Sequence, residues 1–263
     1  KSYYQLLYEN TIHETASFPL LLKQLNLPTF YQNWEIEEKS AEEKHWSYAQ
    51  YLSVLADAEV AERYRKRVKR YTKASKLPLA KTLATFDFTK SKSIHQPQIL
   101  ALSQHTSWIK EAQNVVIFGP SGVGKTHLAA AIGHALIAQG IRVLFTSTTT
   151  LVQQLQLARQ EYKLPEALNK LSKYPLLILD DIGYVKKDDA ETSVLFELIS
   201  DRYENNSLLI TANQPFSAWD SIFPDNMMAV AAIDRLVHHA VIINIKEESY
   251  RKTASKKNLL NKL

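Results

Sequence analysis

The chain has 263 residues, 45% of them hydrophobic, so it can bury a substantial core in one large domain or two small ones. The absence of cysteine excludes disulfide bonds, thiolate zinc sites and cysteine nucleophiles, and the formal charge is only +5, so its distribution matters more than its total. The sequence has no apolar run long enough to span a membrane and no secretory leader. We therefore expect no membrane partner and a cytoplasmic location.

The first part of the chain, residues 1–76, has the pattern of a small helical domain. Apolar residues recur at three- and four-residue spacing, and Pro28 interrupts them, which predicts several short helices. A longer helix is predicted from Ala41 or His45 to about Ala74. Its apolar stripe consists of Leu52, Ala56, Val60, Tyr64, Val68 and Tyr71.

The other face of this long helix is strongly basic. Its charged residues follow helical spacing and are Arg63, Lys66, Arg67, Arg70 and Lys73. A row of one sign binds the phosphates of DNA or RNA by releasing counterions, whereas a face that only adds stability usually mixes signs. A solvated helix face is the alternative interpretation. We predict that residues 1–76 form a basic DNA-binding domain.

A linker is predicted over residues 77–97, which lack the periodicity of a stable element. Phe86 and Phe88 lie within it, just upstream of the next domain. Two interpretations are open for these aromatic residues, because they suit either a contact with an adenine base or an ordinary position in the core. A helix over residues 98–112 is predicted to lead into the next domain.

The most informative motif follows an apolar strand at 115–118 and opens into a helix. Its residues are Gly119, Pro120, Ser121, Gly122, Val123, Gly124, Lys125 and Thr126. The glycines let consecutive backbone N–H groups approach a triphosphate at the positive end of the new helix. Lys125 is placed to reach the β- and γ-phosphates, and the Thr126 hydroxyl to ligate Mg²⁺. The strand, loop and helix together predict a binding site for ATP and Mg²⁺.

Strands and helices alternate after this loop. Further strands are predicted at 141–145, 176–181, 208–211 and 241–245, with helices at 125–139, 150–162, 165–172 and 188–205. This pattern predicts an α/β fold of the P-loop NTPase class over residues 98–263, with a parallel sheet flanked by helices. One strand ends in Asp180 and Asp181. Asp180 is the expected Mg²⁺ partner, and Asp181 is placed to orient and polarise the attacking water.

Several motifs occur in an order that resembles the IstB family. Members of this family are helper ATPases of bacterial insertion sequences, related to the DnaC helicase loaders within the AAA+ class. The resemblance covers nearly the whole chain. It rests on the phosphate loop and on the runs 178–184, 201–204, 211–216 with Trp219, 234–239 and 249–251.

The resemblance implies site residues that the pattern alone does not assign. Asn213 would be the polar sensor that helps position the attacking water, and Arg235 the arginine finger offered to a neighbouring subunit's nucleotide. Arg202 and Arg251 are weaker candidates for contacts with nucleotide or a neighbouring subunit. Asp181 stands where many AAA+ proteins have glutamate, so we expect slow ATP hydrolysis that DNA or a partner stimulates.

The favoured function is an ATP-dependent, DNA-binding helper of transposition. It would assemble as a homo-oligomer on target duplex DNA and recruit or activate the transposase of the same element, with Mg-ATP hydrolysis as the switch. The alternative is a replicative helicase loader similar to DnaC. A small-molecule kinase, which would leave the basic helix without a purpose, and a scaffold that binds nucleotide without hydrolysis are further alternatives. Only residues 252–263 follow Arg251, so we expect no separate helical lid.

Overall fold

The structure is a computed structural model that describes residues 17–183, 189–221 and 226–247. Predictions for Tyr184, for the run 249–251 and for residues 252–263 lie outside the described residues. The chain divides into two compact units, Lys1–Lys69 and Arg70–Leu263, and the division falls inside a long helix. In the described ranges, no helix combines the length and the hydropathy needed to cross a membrane.

Helices form the described part of the first unit. They are α1 (Phe18–Gln24), α2 (Pro28–Glu43) and the larger part of α3 (Tyr48–Ser75), which is the predicted long helix. Proline lies in the first turn of α1 and α2, where a missing N–H breaks no helical hydrogen bond. A reciprocal cap starts α3. The Ser47 amide donates to Gln50 Oε1 over 2.8 Å, and the Gln50 amide donates to Ser47 Oγ over 3.2 Å.

The buried side of α3 differs from the predicted apolar stripe. Leu52 and Val60, which belong to that stripe, are 56% and 66% exposed, whereas Leu55 and Glu59 are buried. The stripe is therefore wrong as a description of the packed face. Burial follows from which helix lies against α3, and the spacing of apolar residues in one helix does not contain that information.

Glu59 joins α2 to α3. Its Oε2 accepts a hydrogen bond from the Thr29 amide in the first turn of α2 over 2.8 Å, and its Oε1 accepts from Arg63 Nε over 2.7 Å. Arg63 Nη2 also donates to the carbonyl oxygen of Asn26. Burial favours a raised pKa for Glu59, but the hydrogen bonds from Arg63 and Thr29 outweigh it and hold the pKa below its ordinary value. The carboxylate is thus charged and paired inside this unit.

Within the described residues, the second unit contains a parallel sheet of five strands in the order β2-β3-β4-β1-β5. The strands are β1 (Asn114–Phe118), β2 (Val143–Ser147), β3 (Leu176–Asp180), β4 (Ser207–Ala212) and β5 (Ala240–Asn244). They agree closely with the predicted strands. Because all of them run in one direction, their carboxyl ends share one edge of the sheet.

Helices surround this sheet. They are α4 (Gln96–Gln104), α5 (Ser107–Lys110), α6 (Lys125–Ile137), α7 (Thr148–Gln160), α8 (Leu164–Ser172), α9 (Asp189–Arg202) and α10 (Asn226–Val237). The single helix predicted over 98–112 is wrong, because the chain breaks between α4 and α5. At this break the indole N–H of Trp108 donates to the Leu102 carbonyl oxygen over 3.0 Å.

Both faces of the sheet are covered, as predicted. Leu177 and Leu179 of β3 belong to an apolar cluster that also includes residues of α7, α9 and α10. Ile178, between them, points to the opposite face and meets α6. A Cβ added at Gly133 of α6 would lie 2.9 Å from Ile178 Cδ1 and 3.1 Å from Leu77 Cδ2, so a larger residue there would require these side chains to shift.

The segment predicted as a linker, residues 77–97, lies within the second unit. Leu77 and Ile94 are buried, and the imidazole of His134 on α6 forms a hydrogen bond with the Pro78 carbonyl oxygen at 3.1 Å. The hydroxyl and amide of Ser93 donate to the Glu247 carboxylate, beyond β5. Short 3₁₀ turns lie within it at Leu83–Thr85 and Phe88–Lys90. Residues 77–97 are therefore docked on the sheet-containing unit.

Candidate nucleotide-binding site

The predicted phosphate loop joins β1 to α6 at the carboxyl edge of the sheet. Its shape depends on the absence of side chains at its glycines. Gly124 has a φ of 99°, in the left-handed region, and a Cβ there would lie 3.1 Å from the Phe86 ring. At Gly119 a Cβ would lie 2.6 Å from the Ile245 carbonyl oxygen. The loop is therefore enclosed by the segment before α4 and by the chain that follows β5.

Lys125 is buried at the start of α6. Its ammonium group donates to the carbonyl oxygens of Gly119 and Pro120 over 2.8 and 2.9 Å, and to the side-chain oxygen of Asn213 over 2.6 Å. These contacts hold the charge against its own loop, at the end of the helix that favours anions. The two residues predicted to act at the γ-phosphate, Lys125 and Asn213, thus lie in direct contact.

Asp180 and Asp181 end β3 at the same edge. The Thr211 hydroxyl on β4 donates to Asp180 Oδ1 over 2.6 Å and accepts from the Asp181 amide over 2.9 Å. The Ile182 amide donates to the Thr211 carbonyl oxygen over 3.0 Å. Asp181 has a φ of 59°, a conformation that is uncommon for residues other than glycine and is held here by Thr211. One threonine therefore orients the predicted Mg²⁺ ligand and fixes the turn that carries the predicted water-orienting residue.

Phe86 packs on the phosphate loop. Its ring makes edge contacts with Phe88 at 4.8 Å and with His127 at 5.2 Å between centroids. His127, on the first turn of α6, also forms hydrogen bonds with Thr85 Oγ1 at 3.1 Å and with the Thr82 carbonyl oxygen at 3.0 Å. An adenine contact remains a prediction for Phe86. What the structure shows is that this aromatic residue lines the loop.

Arg235 lies on α10 and makes its contacts there. Its Nη1 donates to the Ala231 carbonyl oxygen over 2.9 Å, and its guanidinium carbon lies 5.0 Å from the centre of the Phe196 ring on α9. In the described part of the chain, these contacts do not include the phosphate loop. The remaining members of the predicted catalytic set lie together at the carboxyl edge, whereas the described contacts of Arg235 are with its own helix and with α9.

The prediction for Arg202 as a nucleotide or subunit contact is wrong. Its side chain is 1% exposed and donates to the carbonyl oxygens of Tyr174 and Ser207 over 2.9 and 2.8 Å, among others. Burial lowers the pKa of its guanidinium to about 10. These carbonyls lie where β3 and β4 begin, at the edge opposite the phosphate loop. Arg202 therefore closes the amino-terminal end of the sheet.

In the first half of the basic row on α3, the positive side chains form ion pairs with acidic side chains of the same helix. Arg63 pairs with Glu59, and Glu62 pairs with Arg65 and with Lys66. Arg67, Arg70 and Lys73 continue the row and are exposed. The expectation of an unmixed row is therefore wrong for Arg63 and Lys66. Their acidic partners lie one helical turn earlier.

The fold and this site define the class of the protein as a P-loop ATPase of the AAA+ class. A phosphate loop with its lysine, adjacent carboxylates after β3 and a polar residue after β4 meet at one edge of a parallel sheet. The sequence model of the family described as IstB-like ATP binding protein matches residues 20–258. The chain belongs to this family, as the resemblance in the sequence indicated.

Named relatives agree with this assignment. The chain is 50% identical over 246 residues to an insertion sequence ATP-binding protein of Sinorhizobium fredii, covering 94% of this chain and 82% of that protein. It is 39% identical over 228 residues to the ATP-binding protein of insertion sequence IS5376 from Geobacillus stearothermophilus, covering 87% and 90%. A crystal structure of the DnaC helicase loader has a similar fold, with a TM-score of 0.53 and 24% identity over 68% of this chain and 99% of that one.

Sequence reasoning missed Thr211 and His127. Thr211 lies in the run that carried the family resemblance, but a threonine in a strand has no distinguishing local signal. His127 comes directly after the phosphate loop. Only the folded arrangement brings Thr82, Thr85 and Phe86 to it.

Proposed function

We propose that this chain is an ATP-dependent, DNA-binding helper of transposition that assembles on target duplex DNA and recruits or activates the transposase of the same element. The relatives named as insertion sequence ATP-binding proteins support the link to transposition. The observation that supports the proposed switch is that Arg235 contacts Ala231 of its own helix and Phe196 of α9, whereas Lys125 and Asn213 contact each other. Hydrolysis that requires such an arginine depends on a second copy of the chain.

The residues at the carboxyl edge suit a magnesium ion. Hydroxyl and carboxylate oxygens are the ligands that Mg²⁺ accepts, and Thr126 and Asp180 would supply them. The Thr211 hydroxyl holds one oxygen of Asp180 in place, which is the supporting contact that such a ligand needs. When bound, Mg²⁺ neutralises charge on the β- and γ-phosphates.

The protein's own groups then direct hydrolysis. Asp181 orients and polarises a water, Asn213 helps to position it, and Lys125 stabilises the charge that spreads over the γ-phosphate oxygens. The water oxygen forms a bond to phosphorus as the bond to the bridging oxygen of ADP breaks. Arg235 of a neighbouring copy adds positive charge in the transition state, so assembly and hydrolysis are linked.

The first experiment compares ATP hydrolysis without DNA, with duplex DNA and with single-stranded DNA, and measures the assembly state in the same samples. Stimulation and assembly on duplex DNA are expected. A preference for single strands would favour the helicase loader instead. Indifference to both nucleic acids would reject a DNA-dependent switch.

A mixing experiment tests the shared site. Lys125→Ala removes the loop charge but keeps the arginine, whereas Arg235→Ala keeps the loop and loses the arginine. Each variant alone is expected to be nearly inactive. In a mixture on duplex DNA, the arginine of one variant can complete the site of the other, so activity should partly recover. Full activity of Arg235→Ala as a monomer would refute the role of this arginine.

A further inference from the structure

A cluster of arginine and tyrosine lies at the amino-terminal edge of the sheet, in the second unit. The guanidinium carbon of Arg142, just before β2, lies 4.7 Å from the centre of the Tyr174 ring and 5.8 Å from that of Tyr71. The guanidinium carbon of Arg70 lies 5.6 Å from the Tyr71 ring. Two positive groups thus share one aromatic ring. Arg70 is exposed, and the other members are half-buried.

This cluster is separate from the nucleotide site. Val143 pairs with Leu176 where β2 and β3 begin, and Arg142 and Tyr174 come just before these residues. The phosphate loop and Asp180 lie at the carboxyl ends of the strands. Arg142 is therefore not among the residues that we propose to act in ATP hydrolysis.

Arg70 and Arg142 differ in their partners from the arginines that pair with carboxylates or carbonyl oxygens inside the protein. Arg159 pairs with Glu197, Arg63 pairs with Glu59, and Arg202 is surrounded by carbonyl oxygens. Within residues 17–183, 189–221 and 226–247, no carboxylate forms an ion pair with Arg70 or Arg142. An aromatic ring contacts the face of a guanidinium group and leaves the N–H donors at its edge available for a planar anion such as phosphate.

The position of the cluster connects it to the basic row. Arg70 and Lys73, the last members of that row, lie in the second unit, and Arg142 of the same unit shares the Tyr71 ring with Arg70. We propose that Arg142 and Arg70, held by Tyr71 and Tyr174, bind the phosphates of duplex DNA. This inference rests on the proposed function and adds a DNA contact on the ATPase unit.

The test measures the affinity for duplex DNA over a range of salt concentrations. Arg142→Gln should weaken binding and make the slope of log affinity against log salt shallower by about 0.9, the value for one lost phosphate contact. Arg142→Lys keeps the charge but loses the planar group, so it should weaken binding and retain the slope. A purely structural role for Arg142 would lower the melting temperature and leave the slope unchanged in both variants, which would overturn the proposal.

Control variants separate this inference from the proposed function. Arg159→Gln, which removes a half-buried arginine of the same unit with a carboxylate partner, should retain the affinity and the slope. The double variant Arg67→Gln, Lys73→Gln should weaken binding through the helix. If that double variant weakens binding and Arg142→Gln does not, the cluster is rejected and the proposed function stands. If the parent protein shows no salt-dependent DNA binding, the DNA contact at the cluster and the proposed function are both rejected.

Discussion

The ammonium group of Lys125 donates a hydrogen bond to the side-chain oxygen of Asn213 over 2.6 Å, which links the phosphate loop to the end of β4. The same ammonium group also contacts the carbonyl oxygens of Gly119 and Pro120. We expect a phosphate that enters the loop to compete with these oxygen atoms for the lysine. We therefore expect a charge introduced at position 213 to affect both the binding of ATP and its hydrolysis.

Asn213→Asp is expected to weaken ATP binding by about tenfold or more. The new carboxylate keeps the size of the asparagine but neutralises Lys125 and repels the phosphates. Asn213→Ala is the matched control, because it adds no charge. It should bind ATP nearly as well as the parent and hydrolyse it about 10²-fold more slowly or worse. Titration with a fluorescent ATP analogue and steady-state hydrolysis measure the two effects. Equal ATP affinity of the two variants would contradict the competition.

Thr211→Val is expected to reduce hydrolysis by about tenfold or more, because Asp180 loses the hydroxyl that orients it. The free energy of unfolding should fall by about 1–3 kcal/mol, since the Asp181 amide loses its acceptor. Thr211→Ser retains the hydroxyl and should recover most of the activity. Hydrolysis rates and urea unfolding of all three proteins provide the measurement. A valine variant as fast as the parent would show that the hydroxyl does not orient Asp180, and a serine variant as slow as the valine variant would show that the hydroxyl alone is not sufficient.

Arg63→Met is expected to destabilise the first unit by about 1–3 kcal/mol, because the buried carboxylate of Glu59 loses its charged donor. Arg65→Met is the control. Arg65 pairs with Glu62 at an exposed position, where such a pair contributes at most about 1 kcal/mol. Urea unfolding followed by circular dichroism compares the two. Equal losses of stability in the two variants would show that the pairing of Arg63 with Glu59 is not the cause.

The same carboxylate predicts a pH dependence. The pKa of Glu59 is lower in the folded protein than in the unfolded chain, so its stabilising effect is present above the unfolded pKa and is lost as the pH falls through the folded pKa. Glu59→Gln should therefore differ most from the parent near neutral pH and least in acid. A stability difference that stays constant over this pH range would contradict the paired, charged state of Glu59.

A fragment of residues 70–263 is expected to fold and bind ATP, whereas a fragment of residues 98–263 is not. The shorter fragment lacks Leu77, which packs beside Gly133, and Phe86, which packs on the phosphate loop. It also lacks Ser93, which donates a hydrogen bond to Glu247. Removing one large apolar core residue alone costs about 2–5 kcal/mol. Circular dichroism and ATP titration of both fragments measure the difference. Cooperative unfolding and normal ATP affinity of the shorter fragment would show that residues 77–97 are dispensable.

The sequence predicted the parts of the site that are encoded locally. The strands of the sheet are short apolar runs, and the three at its centre, β1, β3 and β4, are almost wholly buried. Lys125 belongs to a motif that forms one continuous loop. Thr211 could not be identified in this way. Leu179 pairs with Ile210, so the next residues of the two strands, Asp180 and Thr211, become neighbours only through the register of β3 and β4.

The predictions from the sequence were wrong where the role of a residue depends on a partner from elsewhere in the chain. Glu59 is a charged residue of a type that usually lies at the surface, but it is buried against the start of α2. Arg202 carries a charge and still occupies the interior, because it donates to the carbonyl oxygens of Leu171 on α8, Pro175 just before β3 and Ser207 on β4. The family resemblance assigned Asn213 and Arg235, and the structure brings only Asn213 to the lysine. These contacts join residues that are distant in sequence, so periodicity in one segment does not reveal them.

Gly133 touches no part of the nucleotide site, yet it sets how deeply α6 is seated. Lys125 begins this helix, and a rise of about 1.5 Å per residue places Gly133 about 12 Å further along it. A methyl group at position 133 would meet the side-chain ends of Ile178 and Leu77. A residue too large for these side chains to accommodate is expected to push the helix outward and to carry the lysine with it. In a random mutational screen selected for loss of ATP binding, substitutions at this glycine would be recovered beside those in the loop.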